Sequence, residues 1–209
     1  MAMYGRVGKI IKRMRKMIVY TFQNPAILEQ IIKEQKLRCA PKYWDEDMKK
    51  YYEWMYDQYK QRIGSKEKSL IWYWEKIPEF YFEQDEDDEW IEERDEPYRY
   101  RVLLVLDIPQ ERILWSDYEG WHAPLNDIKI LSEEEELQAE NGKIFDETHG
   151  WEYVFDFKWL IDNEWSGEII KQGVFDVIHI SAIREIRYYD AKMKKIITEE
   201  EYKVYKKVT

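Results

Sequence analysis

The stretch ILWSDYEGWHAPLN (113–126) concentrates side chains that could carry out chemistry. Ser116, Asp117 and His122 are the residue types of a hydrolytic triad, in which histidine activates the serine and a carboxylate orients the histidine. A nucleophile elbow, however, places its serine between glycines, and Ser116 has Trp115 and Asp117 beside it. Triad members are brought together by the fold, so closeness in sequence is no support. The stretch is therefore predicted to be a structural corner.

The residues of this corner have separate expected roles. Asp117 is expected to accept backbone hydrogen bonds in the turn that follows the short extended segment, as Asx residues do. The ring of Trp121 is expected to be buried and to anchor a loop. His122 stands near a loop end, where binding groups are common, and is kept as a candidate functional residue.

The sequence lacks the residue patterns of several other common functional sites. His122, His149 and His179 have no His or Cys at the spacing of zinc ligands, so no metal site is predicted from them. The sequence contains neither the glycine pattern of a dinucleotide-binding turn nor that of a phosphate-binding loop. The single cysteine, Cys39, has no neighbouring base and is predicted to be an inert buried thiol. One cysteine also predicts a reducing, cytoplasmic compartment.

Composition narrows the classes of partner. The chain has 209 residues, a net charge of −10 and 44 % hydrophobic residues, which predicts an acidic surface around a sizeable core. An acidic surface argues against non-specific nucleic-acid binding, and no apolar run approaches the length of a membrane span. The 10 Trp and 17 Tyr fit either a core of large side chains or a binding surface, and the first explanation is favoured.

Two segments differ from the rest in charge. Residues 1–16 carry six Lys or Arg and no acid, and are predicted to be a flexible basic arm ahead of one domain over residues 17–209. Met17 is a candidate for the natural start. Residues 83–96 carry ten acids and one base, which is typical of a solvated loop, and they lack the glycine-punctuated spacing of a calcium-binding loop.

Hydrophobic patterning predicts the elements that would position these residues. Helices are predicted over 24–37 and 45–63, and Thr198 with Glu201 forms a capping box before a C-terminal helix. Residues 151–160 fit a strand or a short helix. Extended segments are predicted at 18–22, 69–74, 100–107, 112–115, 169–180 and 183–189. The fold class is therefore α+β: a small mixed or antiparallel sheet with N-terminal helices packed on it and a C-terminal helix.

The order of several segments resembles a known family. The matching segments are YTFQNPAILEQIIKEQKLR (20–38), YWDEDMKKYYEWMYDQYKQRIG (43–64), LIWYW (70–74), VLLVLDIPQERILWSDYEGWHAPLN (102–126), FDFKW (155–159) and IIKQGVFDVIHISAIREI (169–186). Together they resemble the bacterial and phage proteins grouped as domain of unknown function 3841, over most of residues 17–189. The acidic run 83–96 departs from the basic segment usual there, so the resemblance does not carry over any anionic-ligand contact made by that segment. Residues 1–16 have no counterpart.

A second resemblance, to the small mono-ADP-ribosyltransferase-like fold, rests on the order of the elements. It implies an NAD-like ligand, with Thr21 and Gln23 on the nicotinamide side and Trp72 or Trp74 stacked on a ring. The late strand, which carries a catalytic glutamate or its substitute in that fold, presents Gln172 here. An amide donates hydrogen bonds but lacks the charge of a carboxylate, so the resemblance implies nucleotide binding without classical transfer chemistry.

Two hypotheses of different classes result. The first is an NAD-like nucleotide-binding domain in which Arg38 would offer a fork for phosphate. Its candidate residues are Gln172 and His122 in catalytic positions and Thr21, Gln23, Arg38, Trp72, Trp74 and Asp117 as ligand contacts. The alternative role of Gln172 is that of a solvent-facing strand residue. The second hypothesis is a non-enzymatic module whose acidic, aromatic-rich surface recognises a protein partner.

Overall fold

The computed structural model describes residues 15–39, 41–44, 46–65, 67–83 and 99–206. The predictions for residues 1–14 of the basic arm and for residues 84–96 of the acidic run lie outside these ranges. Lys16, at the end of the predicted arm, is the first residue of a strand.

The elements follow one another in an α+β arrangement, as predicted. The strands are β1 (Lys16–Gln23), β2 (Lys36–Arg38), β3 (Ile71–Trp74), β4 (Tyr100–Pro109), β5 (Leu114–Asp117), β6 (Lys171–Phe175), β7 (Val177–His179), β8 (Ile183–Asp190) and β9 (Lys195–Ile197). The helices are α1 (Ile27–Glu34), α2 (Lys49–Ile63), α3 (Tyr118–Leu125), α4 (Glu133–Glu140), α5 (Phe157–Asp162) and α6 (Glu199–Lys206). None of the described helices combines the length and apolarity needed to cross a membrane.

The large sheet consists of two groups of strands, β5-β6-β3 and β1-β4-β8-β9, which meet at one residue pair. Its strand order is β5-β6-β3-β1-β4-β8-β9, and every pairing among the described strands is antiparallel. The β1–β4 ladder runs in register from Lys16 opposite Pro109 to Gln23 opposite Val102. In contrast, β1 contacts β3 through the single pair Tyr20 and Trp74. A separate two-stranded sheet pairs β2 with β7.

Two apolar clusters fill the space around the sheets. One brings together residues of the large sheet, α1 and the small sheet; its buried members include Val19, Ile31, Leu37, Tyr73, Leu104, Leu106, Phe175 and Ile178. The other joins α2 and α3 to β5 and β6; its buried members include Met55, Tyr59, Leu114, Trp121, Trp151 and Val174. Large aromatic rings fill much of the second cluster, which agrees with the explanation favoured from composition.

Local end signals are confirmed where a helix begins or ends. Gly64 follows α2 with a φ of 91°, in the left-handed region that favours glycine. The Thr198 backbone N–H donates to the Glu201 carboxylate at 2.6 Å, and the Glu201 N–H donates to Thr198 Oγ1 at 3.1 Å. Short-range hydrogen bonds therefore define these ends without help from distant residues.

The prediction of a loop after Asp117 is wrong, because residues 118–125 form α3. The Asp117 carboxylate accepts the Gly120 N–H at 2.8 Å and so caps the first turn. Trp121 is buried, as expected, and its ring centroid lies 5.9 Å from that of Trp54 and 5.5 Å from that of Trp72. Contacts with distant rings thus stabilise a helix that is too short to be stable alone.

The predicted extended segment 169–180 divides between two sheets. Its first part is β6, its second part is β7 in the small sheet, and Asp176 stands between them. Gly173 does not interrupt β6; it lies opposite Trp115, where a Cβ would come within 2.9 Å of the indole ring. Residues 151–160 are a 3₁₀ turn followed by the start of α5, so the helical alternative was the correct one.

The backbone of Gly150 lies so close to that of Ile130 that a Cβ would not fit, and a substitution can test this. It has a φ of 76°, and a Cβ there would lie 1.9 Å from the Ile130 carbonyl oxygen. Gly150→Ala is expected to lower the free energy of unfolding by about 3 kcal/mol, because strain and a backbone clash add. Gly142→Ala, with a φ of 90° but open space, is the control and should cost about 1 kcal/mol. Equal losses in urea unfolding would contradict this account.

Candidate functional site

Three polar or aromatic residues lie side by side on adjacent strands. Ser116 of β5 is directly opposite Gln172 of β6, and Gln172 is directly opposite Trp74 of β3. Directly opposed residues in an antiparallel sheet project to the same face. Ser116 is 1 % exposed and Gln172 is 5 % exposed, so polar groups occupy an inward position of the sheet.

The polar atoms that these two side chains bury have no partner within the described part of the chain. Neither Ser116 Oγ nor Gln172 Nε2 has a hydrogen-bond partner among the described residues. Buried polar groups in folded proteins are almost always hydrogen-bonded, and an unpaired one costs about 1–3 kcal/mol. Two such groups on neighbouring strands form a position that a polar group of a small molecule would satisfy.

Aromatic rings extend this position towards α3. The Trp74 ring centroid lies 5.1 Å from that of Tyr118 and 5.9 Å from that of Phe80. Tyr118 in turn has its centroid 4.6 Å from the His122 ring, whose Nδ1 is buried without a hydrogen-bond partner among the described residues. We call Ser116, Gln172, Trp74, Tyr118 and His122 the Gln172 corner.

Burial governs the protonation of the tyrosine in this corner. Desolvation raises the pKa of Tyr118, and the carboxylate of Glu119 adds to the effect. The hydroxyl therefore remains a neutral hydrogen-bond donor at neutral pH. His122 Nδ1 lies 3.9 Å from Glu119 Oε2, beyond hydrogen-bond distance.

A cleft adjoins the corner at the end of β3 and the start of β6. Its volume is about 530 Å³, and the residues that line it are Glu75, Lys76, Ile77, Pro78, Glu79, Phe80, Glu83, Glu168, Ile169, Ile170 and Lys171. Glu75 Oε2 and Lys171 Nζ are 3.4 Å apart. Phe80, which is 39 % exposed, both lines the cleft and contacts Trp74. Its ring therefore connects the corner with the cleft.

Of the residues predicted from the sequence, Trp74 and Gln172 are directly opposite each other, and His122 is linked to Trp74 through the ring of Tyr118. The alternative of a solvent-facing Gln172 is wrong, because the side chain is buried. Trp72 lies two residues along β3 from Trp74, but its ring contacts those of Tyr52 and Trp121 in the second apolar cluster.

Thr21 and Gln23 lie on the other face of β1. The Gln23 Nε2 donates to Thr21 Oγ1 at 2.8 Å, so the Gln23 amide nitrogen already has a partner within the same strand. The intervening Phe22 points the opposite way and stacks on Tyr81 at 4.4 Å, and Tyr81 also contacts Trp74. The structure thus separates this polar pair from the Gln172 corner.

Arg38 and Asp117 are held by other parts of the chain. Arg38, in the small sheet, donates from Nη2 to Glu67 Oε1 at 2.7 Å. Asp117 is fully buried and accepts the backbone N–H of Gly120 at 2.8 Å and of Ile170 at 3.0 Å, as well as the Ser166 hydroxyl. The expected turn bonding of Asp117 is confirmed, and it anchors the element that carries Tyr118 and His122.

Two members of the site region were not selected from the sequence. Tyr118 and Phe80 carry no recognisable motif, and Ser116 was considered only as a nucleophile. A usable signal exists for Ser116: a small polar residue two positions after the buried Leu114 falls on the inward face of the same strand.

The other residues that could carry out chemistry show fewer features of a functional site than the Gln172 corner does. Burial raises the pKa of the Cys39 thiol, which agrees with an inert cysteine. His149 Nε2 lies 2.8 Å from Glu135 Oε1. In the described ranges no group of three or more His, Cys, Asp or Glu side chains is arranged to hold a metal ion.

The fold and the site define an α+β domain with an antiparallel sheet and a buried polar corner. The family model described as domain of unknown function (DUF3841) matches residues 18–158, and the chain belongs to this family. The resemblance seen in the sequence is confirmed to that extent. The match ends before β6, so Gln172 lies outside it. No curated protein and no solved structure matches the chain.

Replacement of Asp117 tests its anchoring role. Asp117→Ala is expected to lower the free energy of unfolding by about 3 kcal/mol, because buried backbone N–H groups lose their acceptor. The matched control is Asp156→Ala, an exposed helix cap that accepts the Trp159 N–H at 3.0 Å and should cost about 1 kcal/mol. Chemical denaturation compares the two, and equal losses would show that Asp117 is no more than an ordinary cap.

Proposed function

We propose that this domain binds a nucleotide of the NAD class, with its planar ring at the Gln172 corner. The observation that carries the proposal is an adjacent pair of buried groups, Ser116 Oγ and Gln172 Nε2, for which the described residues offer no hydrogen-bond partner. A ring carbonyl or carboxamide would accept from the amide and bond with the hydroxyl. The choice of the NAD class rests on the order of elements, which resembles that of mono-ADP-ribosyltransferase-like domains.

The rings of the corner suit a planar ligand. Phe80 and Tyr118 are stacked with a centroid separation of 5.5 Å, and Trp74 meets both edge-on. Aromatic side chains bind flat heterocycles through offset stacking and edge contacts. Because Phe80 is part-exposed, its ring is available to a ligand that enters from the cleft.

The charges at the cleft limit how the phosphates would bind. Lys76 and Lys171 are its cations, and Lys171 is already close to Glu75. Carboxylates outnumber these lysines, so they oppose an anionic ligand through space. We therefore expect a dissociation constant of roughly 0.1–1 mM, with affinity that rises as salt screens the repulsion.

The proposal concerns binding rather than transfer. A glutamate at the position of Gln172 would stabilise an oxocarbenium-like transition state by its charge, whereas an amide only hydrogen-bonds. Gln172 would accordingly orient the ligand through a hydrogen bond. His122, whose ring packs against Tyr118, would contact the ligand beside that tyrosine.

Binding is tested by calorimetry and ligand-observed NMR with NAD, ADP-ribose, ADP and nicotinamide. Gln172→Leu should weaken NAD binding about tenfold, because the amide contact is lost. The same change should leave the melting temperature unchanged or raise it, since it removes a buried donor without a partner. No binding of any of the four compounds at millimolar concentration would refute the proposal.

Gln23→Leu is the matched control for this experiment. It removes an amide from β1, which is separated from β6 by β3 in the same sheet. This amide lies on the other face of β1 and is already bonded to Thr21. NAD binding should be unaffected. If this variant loses binding while Gln172→Leu keeps it, the ligand lies on the face of Thr21 and the Gln172 corner is not the site.

A second candidate function is recognition of a basic protein segment. The supporting observation is a patch in which Phe80 and Phe82, 39 % and 44 % exposed, stand among carboxylates. Its acidic members are Glu75, Glu79, Glu83 and Glu168. Exposed aromatic rings with surrounding carboxylates suit Lys and Arg side chains, through cation–π contacts and charge. We call these six residues the acidic aromatic patch.

Association kinetics with a synthetic Lys- and Arg-rich peptide test this candidate. Joint replacement Glu79→Gln and Glu83→Gln should slow association about threefold to tenfold at low salt, because charge steers the encounter. Glu133→Gln with Glu134→Gln, in the exposed first turn of α4, is the control of equal charge. An association rate that is equal in both double variants would contradict a specific patch.

A further inference from the structure

A second cleft lies at the other end of β6 from the Gln172 corner, where Asp176 follows Phe175. It has a volume of about 530 Å³ and is lined by the end of α2, the turn after β4 and the β2–β7 ladder. The polar side chains that line it are Lys36, Tyr59, Ser65, Glu67, Glu111, Arg112, Asp176 and His179. We call it the Asp176 cleft.

Asp176 is the buried centre of this cleft, and its oxygens are already occupied. Oδ1 accepts from Arg112 Nη2 at 2.7 Å and from the Val177 N–H at 2.9 Å. Oδ2 accepts from Ser65 Oγ at 2.7 Å. The side chain is only 6 % exposed. A carboxylate bonded in this way serves to hold Arg112 in place rather than to bind a further cation.

Asp176 therefore holds Arg112 in place but does not occupy all the N–H donors of its guanidinium. Its guanidinium lies 4.4 Å from the centroid of the Phe175 ring, while its side chain remains 39 % exposed. The contact to Asp176 uses Nη2, and a side-chain hydrogen bond also links the guanidinium with Tyr59. A guanidinium carries more N–H donors than these contacts use. A pre-oriented guanidinium with remaining donors can bind a carboxylate or phosphate with little loss of side-chain freedom.

Two more basic side chains face the same space. Lys36 and His179 are directly opposed on the β2–β7 ladder, so they project to the same side. Both line the cleft together with Arg112. Lys36, Arg112 and His179 thus form one group of basic side chains within an acidic chain.

Two of the acidic side chains of the cleft, Asp176 and Glu67, are already paired with arginines. Glu67 is 2.7 Å from Arg38, a residue outside the cleft lining. Glu111 is exposed and remains as a rim carboxylate. Burial raises the pKa of Tyr59, whose hydroxyl donates to the Arg112 carbonyl oxygen at 3.0 Å. The tyrosine stays neutral and supports the turn that carries Arg112.

We propose that the Asp176 cleft is a binding site for a small anion that carries a phosphate or carboxylate group. Arg112 bonds the anionic group, and Lys36 and His179 complete the contact from the β2–β7 ladder. The site is independent of nucleotide binding at the Gln172 corner, since the two share no residues.

The test is an NMR titration of the intact chain with sodium phosphate and, separately, sodium succinate at constant ionic strength. Shifts are expected at Lys36, His179 and Arg112 in the millimolar range. The double replacement Lys36→Gln and His179→Gln should weaken binding at least about tenfold, through loss of charge-assisted contacts. Both side chains lie at the surface of the small sheet, so the fold is retained; Arg112→Gln is avoided because it would leave Asp176 buried without its cation.

Lys195→Gln, at an exposed position of β9, is the control and should bind as the unaltered chain does. Saturable binding of phosphate alone assigns a phosphate-bearing ligand, binding of succinate alone assigns a carboxylate, and binding of both supports the shared anion chemistry. No response to either at about 50 mM, or equal affinity in the double variant, overturns the proposal. Gln172→Leu should not alter these titrations, so failure here is distinguishable from failure at the Gln172 corner.

Discussion

One cross-strand pair, Tyr20 with Trp74, joins the two ladders of the large sheet. On one side β1 and β4 are paired over eight residues, and on the other β3 is paired with β6 over four. A joint this narrow gains little from backbone hydrogen bonds, so side-chain packing must keep the ladders together. Trp74 supplies much of that packing through Phe80, Tyr81 and Tyr118. The Gln172 corner lies at this joint because Gln172 is the next strand neighbour of Trp74.

Buried polar groups in this domain fall into two kinds. Asp117, Asp176 and Asp190 are all buried carboxylates whose oxygens accept several hydrogen bonds; Asp190, for example, is bound by Arg99 and by the N–H groups of Lys192 and Met193. Such groups hold turns and strand ends in place. Ser116 and Gln172 are equally buried but have no such partners for their hydroxyl and amide nitrogen among the described residues. This contrast within one structure is the reason for proposing a ligand site at the Gln172 corner.

The sequence predicts the structure best where the end of a helix depends on residues close by in the chain. Gly64 ends α2, and the Thr198–Glu201 box begins α6, because both depend on hydrogen bonds within a few residues. Agreement is worst in α3, where Gly120 and Pro124 suggest a loop. That helix depends on packing of Trp121 against rings from α2 and β3, which local propensity does not register.

The sequence by itself determined the element types at the capped ends, the α+β class and the family, because periodicity, caps and the order of segments are written in consecutive residues. Tertiary structure alone decided which side chains meet. Gln23 and Gln172 look equivalent as polar residues in strands, yet strand alternation and register put only Gln172 beside Trp74. Arg112 and Asp176 are 64 positions apart and form a pair only because the chain folds. Register and long-range packing are set by the free energy of the whole core, and no local pattern encodes them.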